Sequence, residues 1–221
     1  MIEAHVVNAE NKHLYAHAFE QFRRRHHDCC ALTHRRKPVN NNGLESDPFD
    51  TPQAIYLLGM LEDRVVTSAR LVPTTIANPV AGELADMCEN MDLPCRADWA
   101  AWTRTDVLPE YREAGVTGIP SQMFCAVMEY CLDEGISHTG GMLQQFVLKR
   151  WLDLGWKVIP AGLPRILSGD WCLLAYVEVG EKALRAGRAR AAVNRPLVVR
   201  RGAQLPFINP SQSPASLVAT Q

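Results

Sequence analysis

Two stretches of the chain concentrate side chains able to do chemistry. The first reads His26-His27-Asp28-Cys29-Cys30. On a helix, His26 and Cys30 share one face, as the first two ligands of a zinc site do. No second ligand pair follows at finger-like spacing, and His34 and His138 are the only loose candidates, so no metal is expected. A nucleophile built from Cys30 with His26 or His27 would suit acyl transfer if the thiolate were stabilised. A buried thiol beside solvated histidines at a helix end is the plainer reading. Cys29 and Cys30 are adjacent and face different sides of a helix, which argues against a redox pair. The second stretch, residues 47–58, reads Asp-Pro-Phe-Asp-Thr-Pro-Gln-Ala-Ile-Tyr-Leu-Leu, and residues 70–75 read Arg-Leu-Val-Pro-Thr-Thr. These hold two carboxylates three residues apart and Arg70, side chains able to hold a charged substrate, and Thr103-Arg104 follows further on.

The elements that would position these residues follow from periodicity. Residues 2–7 alternate weakly and predict a short strand. Residues 11–30 carry Leu14, Ala18, Phe19 and Phe22 at three- and four-residue steps and predict a helix. Residues 33–52, with Pro38, Asn40-Asn41-Asn42-Gly43 and Pro48, predict a loop. Two strand-like runs, 54–61 and 65–71, flank Glu62-Asp63-Arg64 and predict a hairpin. Residues 75–94 are irregular or partly helical, and 99–108 read as a strand. A helix is expected over 121–134, with Ser121 as its N-cap after Pro120 and Gly135 as its stop; Phe124, Val127, Met128 and Cys131 form its apolar stripe. Residues 136–142 predict a strand, 143–154 a helix ending at Gly155, and 157–159 and 172–179 two more strands. The order is mixed α/β without the regular βαβ repeat of a doubly wound sheet. No GxGxxG or GxxxxGK[ST] occurs, so nucleotide binding of the common kinds is unsupported.

The 221 residues suit one domain, and 47% hydrophobic with 21% charged residues excludes a wholly disordered chain. A single domain over 1–203 and a flexible tail over 204–221 are expected. A net charge of −1 argues against a dedicated nucleic-acid binder, and no apolar run approaches a membrane span. The first residues lack a secretory pattern and the seven cysteines form no regular framework, so a cytoplasmic protein with reduced thiols is expected. Near-neutrality is a cancellation. Residues 83–113 hold eight acidic and three basic side chains, whereas 181–201 hold seven basic and one acidic. Together with Arg23-Arg24-Arg25 and Arg35-Arg36-Lys37, the basic surplus could attract an acidic carrier or a phosphate-bearing cofactor, or be a solvated surface.

The Asp-x-x-Asp segment with Phe49 before its second aspartate, the Tyr-Leu-Leu strand and the Arg-Leu-x-Pro-Thr-Thr segment about twenty residues on resemble the acyl-homoserine-lactone synthases, the LuxI-type autoinducer synthases. The resemblance covers most of the chain up to about Val179. It implies a GNAT-like mixed twisted sheet flanked by helices, with residues 99–108 and 136–142 as splayed central strands and Gly140-Gly141 allowing close backbone approach.

It implies, too, an acyl group passing from a carrier-protein or coenzyme A thioester to the amine of S-adenosylmethionine. The substrate carboxylate then displaces methylthioadenosine and closes the lactone. Both substrates are consumed, and no cofactor is expected. Carried over, Asp47, Asp50, Arg70 and Arg104 would be catalytic: the aspartates orient the sulfonium substrate, and the arginines pair with them or hold the substrate carboxylate. His26, Cys30, Arg36, Phe49, Thr103 and Thr139 would bind substrate. Four positions depart from the family pattern: counted back from Asp47 without gaps, its first-helix arginine falls on His26, its phenylalanine on Cys30 and its tryptophan on Arg36, and the glutamate of Trp-Glu-x-Ser-Arg falls on Ala101; shifted pairings would use Arg23, Arg24 or Arg25 for the arginine and Trp99 or Trp102 for the tryptophan of Trp-Glu-x-Ser-Arg. A GNAT-like N-acyltransferase on another amine, or a non-catalytic relative, are the alternative readings.

Overall fold

In the computed structural model, residues 1–32, 47–82, 84–112, 115–167 and 169–208 are described, with the backbone alone along 25–32. Nine strands among them form one mixed sheet, in the order β6-β8-β5-β4-β3-β2-β1-β9, with β7 paired to β8. β1 is Glu3–Val7, β2 Ile55–Leu61, β3 Arg64–Pro73, β4 Trp99–Val107, β5 His138–Gln144, β6 Val158–Pro160, β7 Arg165–Leu167, β8 Asp170–Glu178 and β9 Val198–Arg200. The helices are α1 (Ala16–Leu32), α2 (Pro109–Arg112), α3 (Ile119–Asp133), α4 (Gln145–Asp153) and α5 (Glu181–Arg190).

Two apolar layers hold the sheet between helices. On one face, Phe19 and Phe22 of α1 pack with Tyr56 and Leu58 of β2 and Val72 of β3. On the other, Phe124, Val127 and Met128 of α3 meet Leu57, Leu71 and Trp102, and Val147 and Trp151 of α4 join them. The stripe read on α3 is therefore plain core. Its start differs from expectation: the helix begins at Ile119, Gly118 occupies the N-cap without a side-chain bond, and the fully buried Ser121 hydroxyl finds no partner among the described residues. Pro120 explains the shift, because proline fits the first helical turn, where its missing N–H is no loss. Gly135 and Gly155 end α3 and α4 with φ of +71° and +79°, as stops in the left-handed region.

Strands β1 to β4 form an antiparallel meander, and β4 then meets β5 in parallel for three pairs only: Trp99 with His138, Ala100 with Thr139, Ala101 with Gly140. Beyond them β4 continues along β3 to Val107, while β5 continues along β8 to Gln144. The two strands thus splay, as expected. Glycines sit where they part. A Cβ on Gly141 would lie 2.4 Å from the Trp102 carbonyl oxygen, and one on Gly140 would lie 2.2 Å from that of Ala175.

Helix α5 and strands β7 and β9 were not expected from periodicity. α5 is rich in arginine and alanine, with only Leu184 and Gly187 buried, so its apolar stripe is too thin to read. β9 pairs in parallel with β1 and is tied to α3 by Glu129, which accepts from the Leu197 and Val198 amides and pairs with Arg188. Residues 204–208 remain on the body: Phe207 is buried and its amide donates to Glu134. Of the loop expected over 33–52, residues 33–46 lie outside the described residues and 47–52 carry neither helix nor strand.

Candidate active site

The sheet brings the charged residues together on the α1 face, at the β3–β4 pair beside the split. Arg70 enters from β3 opposite Thr103 of β4 and Tyr56 of β2. Its Nη1 lies 2.6 Å from Asp50 Oδ1 and 3.1 Å from Asp47 Oδ2, and its Nε donates to Thr103 Oγ1 at 2.9 Å. The side chain is 2% exposed, so a buried guanidinium is matched by two carboxylates and a hydroxyl, the condition under which burying a charge is tolerable.

Arg104 joins by a backbone irregularity. Between the pairs Arg70–Thr103 and Ser68–Asp106, β3 advances two residues and β4 three. The extra residue makes a β-bulge, and Arg104 carries a φ of +50°. In a regular strand, Thr103 and Arg104 would point to opposite faces. Here both reach the same cluster: Arg104 Nε donates to Asp47 Oδ2 at 2.9 Å, and its Nη2 contacts the same oxygen. A bulge re-aiming a side chain beside a functional site is a recurrent use of that device.

The two aspartates are not equivalent. The Asp47 side chain is 3% exposed, and its Oδ1 accepts the Phe49 amide at 2.8 Å. Burial alone would raise its pKa. The charges of Arg70 and Arg104, with the Phe49 and Arg104 hydrogen bonds, outweigh burial and hold the carboxyl down at about 2. The Asp50 side chain is 34% exposed; its Oδ1 takes Arg70 and the Tyr56 hydroxyl, and no described residue bonds its Oδ2. Tyr56, which sequence reasoning did not single out, belongs to the cluster. The signal was its place in the Tyr-Leu-Leu strand directly opposite Arg70, which only the β2–β3 register makes visible.

Of the residues read as substrate-binding, Phe49 contributes its amide and Thr103 its hydroxyl to this cluster. Thr139 does not join it. It is fully buried on β5 with its hydroxyl beside the Cys131 thiol of α3, on the opposite face of the sheet. Its neighbour His138 faces the cluster side, stacked on Trp99 with ring centroids 4.3 Å apart. His26 and Cys30 fall on α1 where only the backbone is described, and Arg36 lies outside the described residues. The metal and Cys–His readings of the 26–30 stretch fall there too. Cys125 and Cys131 are buried free thiols of α3, and burial pushes the Cys125 thiol up to about 12.

Residues 38–184 match the family described as autoinducer synthase. The isovaleryl-homoserine lactone synthase of Bradyrhizobium diazoefficiens is 30% identical over 181 residues, which span 81% of each chain. The chain belongs to the autoinducer synthase family. Solved members agree. The coenzyme A-dependent acyl-homoserine lactone synthase BjaI, solved with S-adenosylmethionine and isopentyl-coenzyme A, is 28% identical, with a TM-score of 0.84 over 94% of this chain and 97% of that one. The coenzyme A-dependent synthase MesI, at 24% identity and a TM-score of 0.78 over 89% and 99% of the two chains, shares the fold. The mixed α/β architecture expected from the sequence is thus the architecture of an autoinducer synthase.

Proposed function

We propose that this autoinducer synthase transfers an acyl group from acyl-coenzyme A to the amine of S-adenosylmethionine, forming an N-acyl-homoserine lactone and releasing methylthioadenosine and free coenzyme A. The observation that carries the residue assignments is the Asp47–Arg70–Asp50–Arg104 cluster beside the β4–β5 split. S-adenosylmethionine bears a sulfonium and an ammonium, and a site for it needs carboxylate held in place before substrate arrives. Asp50 meets that need: one oxygen is fixed by Arg70 and Tyr56, and the other is left for the substrate. Asp47 is buried and committed to both arginines, so its role is to position them. Arg70 is likewise fully engaged and positions Asp50. The methionyl amine attacks as the free base, and its proton passes to a base or to water as the amide forms. The substrate carboxylate then displaces the thioether and closes the ring.

Coenzyme A is favoured over a carrier protein as donor because the similar synthase BjaI is a coenzyme A-dependent enzyme. Among the described residues no helix is long and apolar enough to cross a membrane, and both substrates are cytoplasmic metabolites, so we place the enzyme in the cytoplasm. The test is direct. Protein, S-adenosylmethionine and a panel of acyl-coenzyme A donors beginning with isovaleryl-coenzyme A are mixed, and methylthioadenosine and free thiol are measured. Equal yields of the two are expected. Thiol release and amide formation without methylthioadenosine would instead mark an N-acyltransferase without lactone closure, and release of neither with any donor would overturn the proposal.

A further inference from the structure

Tyr56 carries a hydroxyl that the fold does not need. Its ring is 5% exposed and is held edge-on by Phe19 at 4.9 Å and by Phe22 at 5.5 Å, contacts a phenylalanine would make equally well. A buried hydroxyl is costly unless bonded, and among the described residues this one has a single partner, Asp50 Oδ1, at 2.5 Å. That oxygen also accepts Arg70 Nη1 at 2.6 Å, so two donors converge on one carboxylate oxygen from neighbouring strands. The charged groups around the phenol are Asp50, Arg70 and Arg104, with Lys12 beyond Phe19, its ammonium 4.0 Å from the ring centroid. Burial first, and the Asp50 charge second, raise the phenol pKa far above its ordinary value, so Tyr56 remains a donor throughout the working range.

We infer that Tyr56 is a positioning residue for S-adenosylmethionine: its hydroxyl pins Asp50 Oδ1, so that Oδ2 faces the cationic substrate in one fixed direction. With Arg70 alone, the carboxylate keeps its charge but can swing about a single contact. Orientation of a charged group is what such a second contact supplies, and misdirection of a carboxylate weakens recognition without removing charge. The inference rests on the reading of Asp50 as the substrate-facing carboxylate.

The experiment is a double-mutant cycle with Tyr56→Phe and Asp50→Asn, read by steady-state release of methylthioadenosine and by calorimetric binding of S-adenosylmethionine. Tyr56→Phe is expected to lower kcat/KM for S-adenosylmethionine about ten- to a hundredfold, the loss that accompanies a hydrogen bond to a charged group. KM for the acyl-coenzyme A donor should change by no more than about twofold, and the melting temperature should stay within a few degrees, because the ring and its stacking remain. In the Asp50→Asn background, Tyr56→Phe should add no further loss in either readout. A Tyr56→Phe enzyme with unchanged kcat/KM, or losses that multiply across the two sites, would overturn the inference even where Asp50→Asn is severely impaired. Unaltered activity of Asp50→Asn would instead remove the underlying reading of Asp50. Binding measurements complete the cycle if turnover of Asp50→Asn is too slow to follow.

Discussion

Although Asp50 is the carboxylate proposed to meet substrate, Asp47 ties the two arginines of the candidate site together. Its carboxylate neutralises two guanidinium groups whose side chains are 2% and 7% exposed. Replacement by asparagine would keep the shape and leave both cations in a buried site without their shared partner. Removing one member of such a set costs about 3–5 kcal/mol, so Asp47→Asn should destabilise the fold by an amount of that order, measurable by urea denaturation. The pH dependence has a definite sign. The folded carboxyl titrates at about 2, below its ordinary 3.8, so the unfolded chain binds the proton more readily. The stabilisation is fully present above about pH 4 and is lost as pH falls toward 2. Wild type minus Asp47→Asn stability, plotted against pH, should therefore fall across that window and be flat from pH 5 to 8. At this scale the sequence was informative: residues 47, 50, 70, 103 and 104 could be named from the motif, and the structure gathers them within hydrogen-bond distance of one another. The contribution of Tyr56 was hidden because it depends on which β2 residue lies opposite Arg70. Alternation along β5 sends Thr139 to the face away from the cluster, so its reading as a substrate-binding residue stays a proposal separate from this charged set.

At the scale of elements, the site depends on where β4 stops pairing with β5 and on where β4 bulges. Gly141 secures the first. Its α-carbon lies so close to the Trp102 carbonyl that an added methyl would sit at 2.4 Å, with backbone on the opposing side, so neither group can yield cheaply. Gly141→Ala should push the strands apart where they diverge. The expected result is a loss of about 1–3 kcal/mol, the usual cost of overpacking, with a fall in turnover larger than the fall in stability explains, because the split itself is displaced. Thermal melting and methylthioadenosine release measured on the same preparation check both. An alanine variant with wild-type turnover would show that the split tolerates widening. The hairpin and the helix stops were legible because glycine, β-branched runs and apolar stripes mark them locally, whereas the splayed pair was implied by the family resemblance. The bulge at Arg104 was not, because register is a property of two strands, and Thr103-Arg104-Thr105 contains no glycine to announce a left-handed residue. Helix α5 and β9 escaped for a related reason: they depend on Glu129 and the α3 surface more than on any stripe of their own.

Across the whole molecule, the near-zero net charge divides into parts that do different work. Within the acidic 83–113 region, Asp86 and Glu89 clasp Arg165 and tie the loop before β4 to β7, while the basic C-terminal region is drawn onto α3 by Glu129 and Glu134. Glu134 acts twice, pairing with Arg200 and accepting the Phe207 amide, and so carries the chain past β9 until Phe207 is buried against the core. These contacts involve no member of the charged cluster and hold the C-terminal segment to the fold. A domain boundary at residue 203, proposed from the proline, serine and threonine content of residues 204–221, can then be tested by cutting there. Removal of 204–221 deletes a phenylalanine that is 6% exposed, and Phe→Ala in such a place costs about 3–5 kcal/mol, with the lower end expected at the edge of a core. The truncated enzyme should melt several degrees lower while keeping its KM for S-adenosylmethionine. Phe207→Ala in the full chain should reproduce most of that drop if the burial of this one ring, rather than the length of the tail, is what holds the segment down. Equal melting temperatures for the truncated and full chains would place the boundary at 203 and make the Phe207 contact energetically negligible.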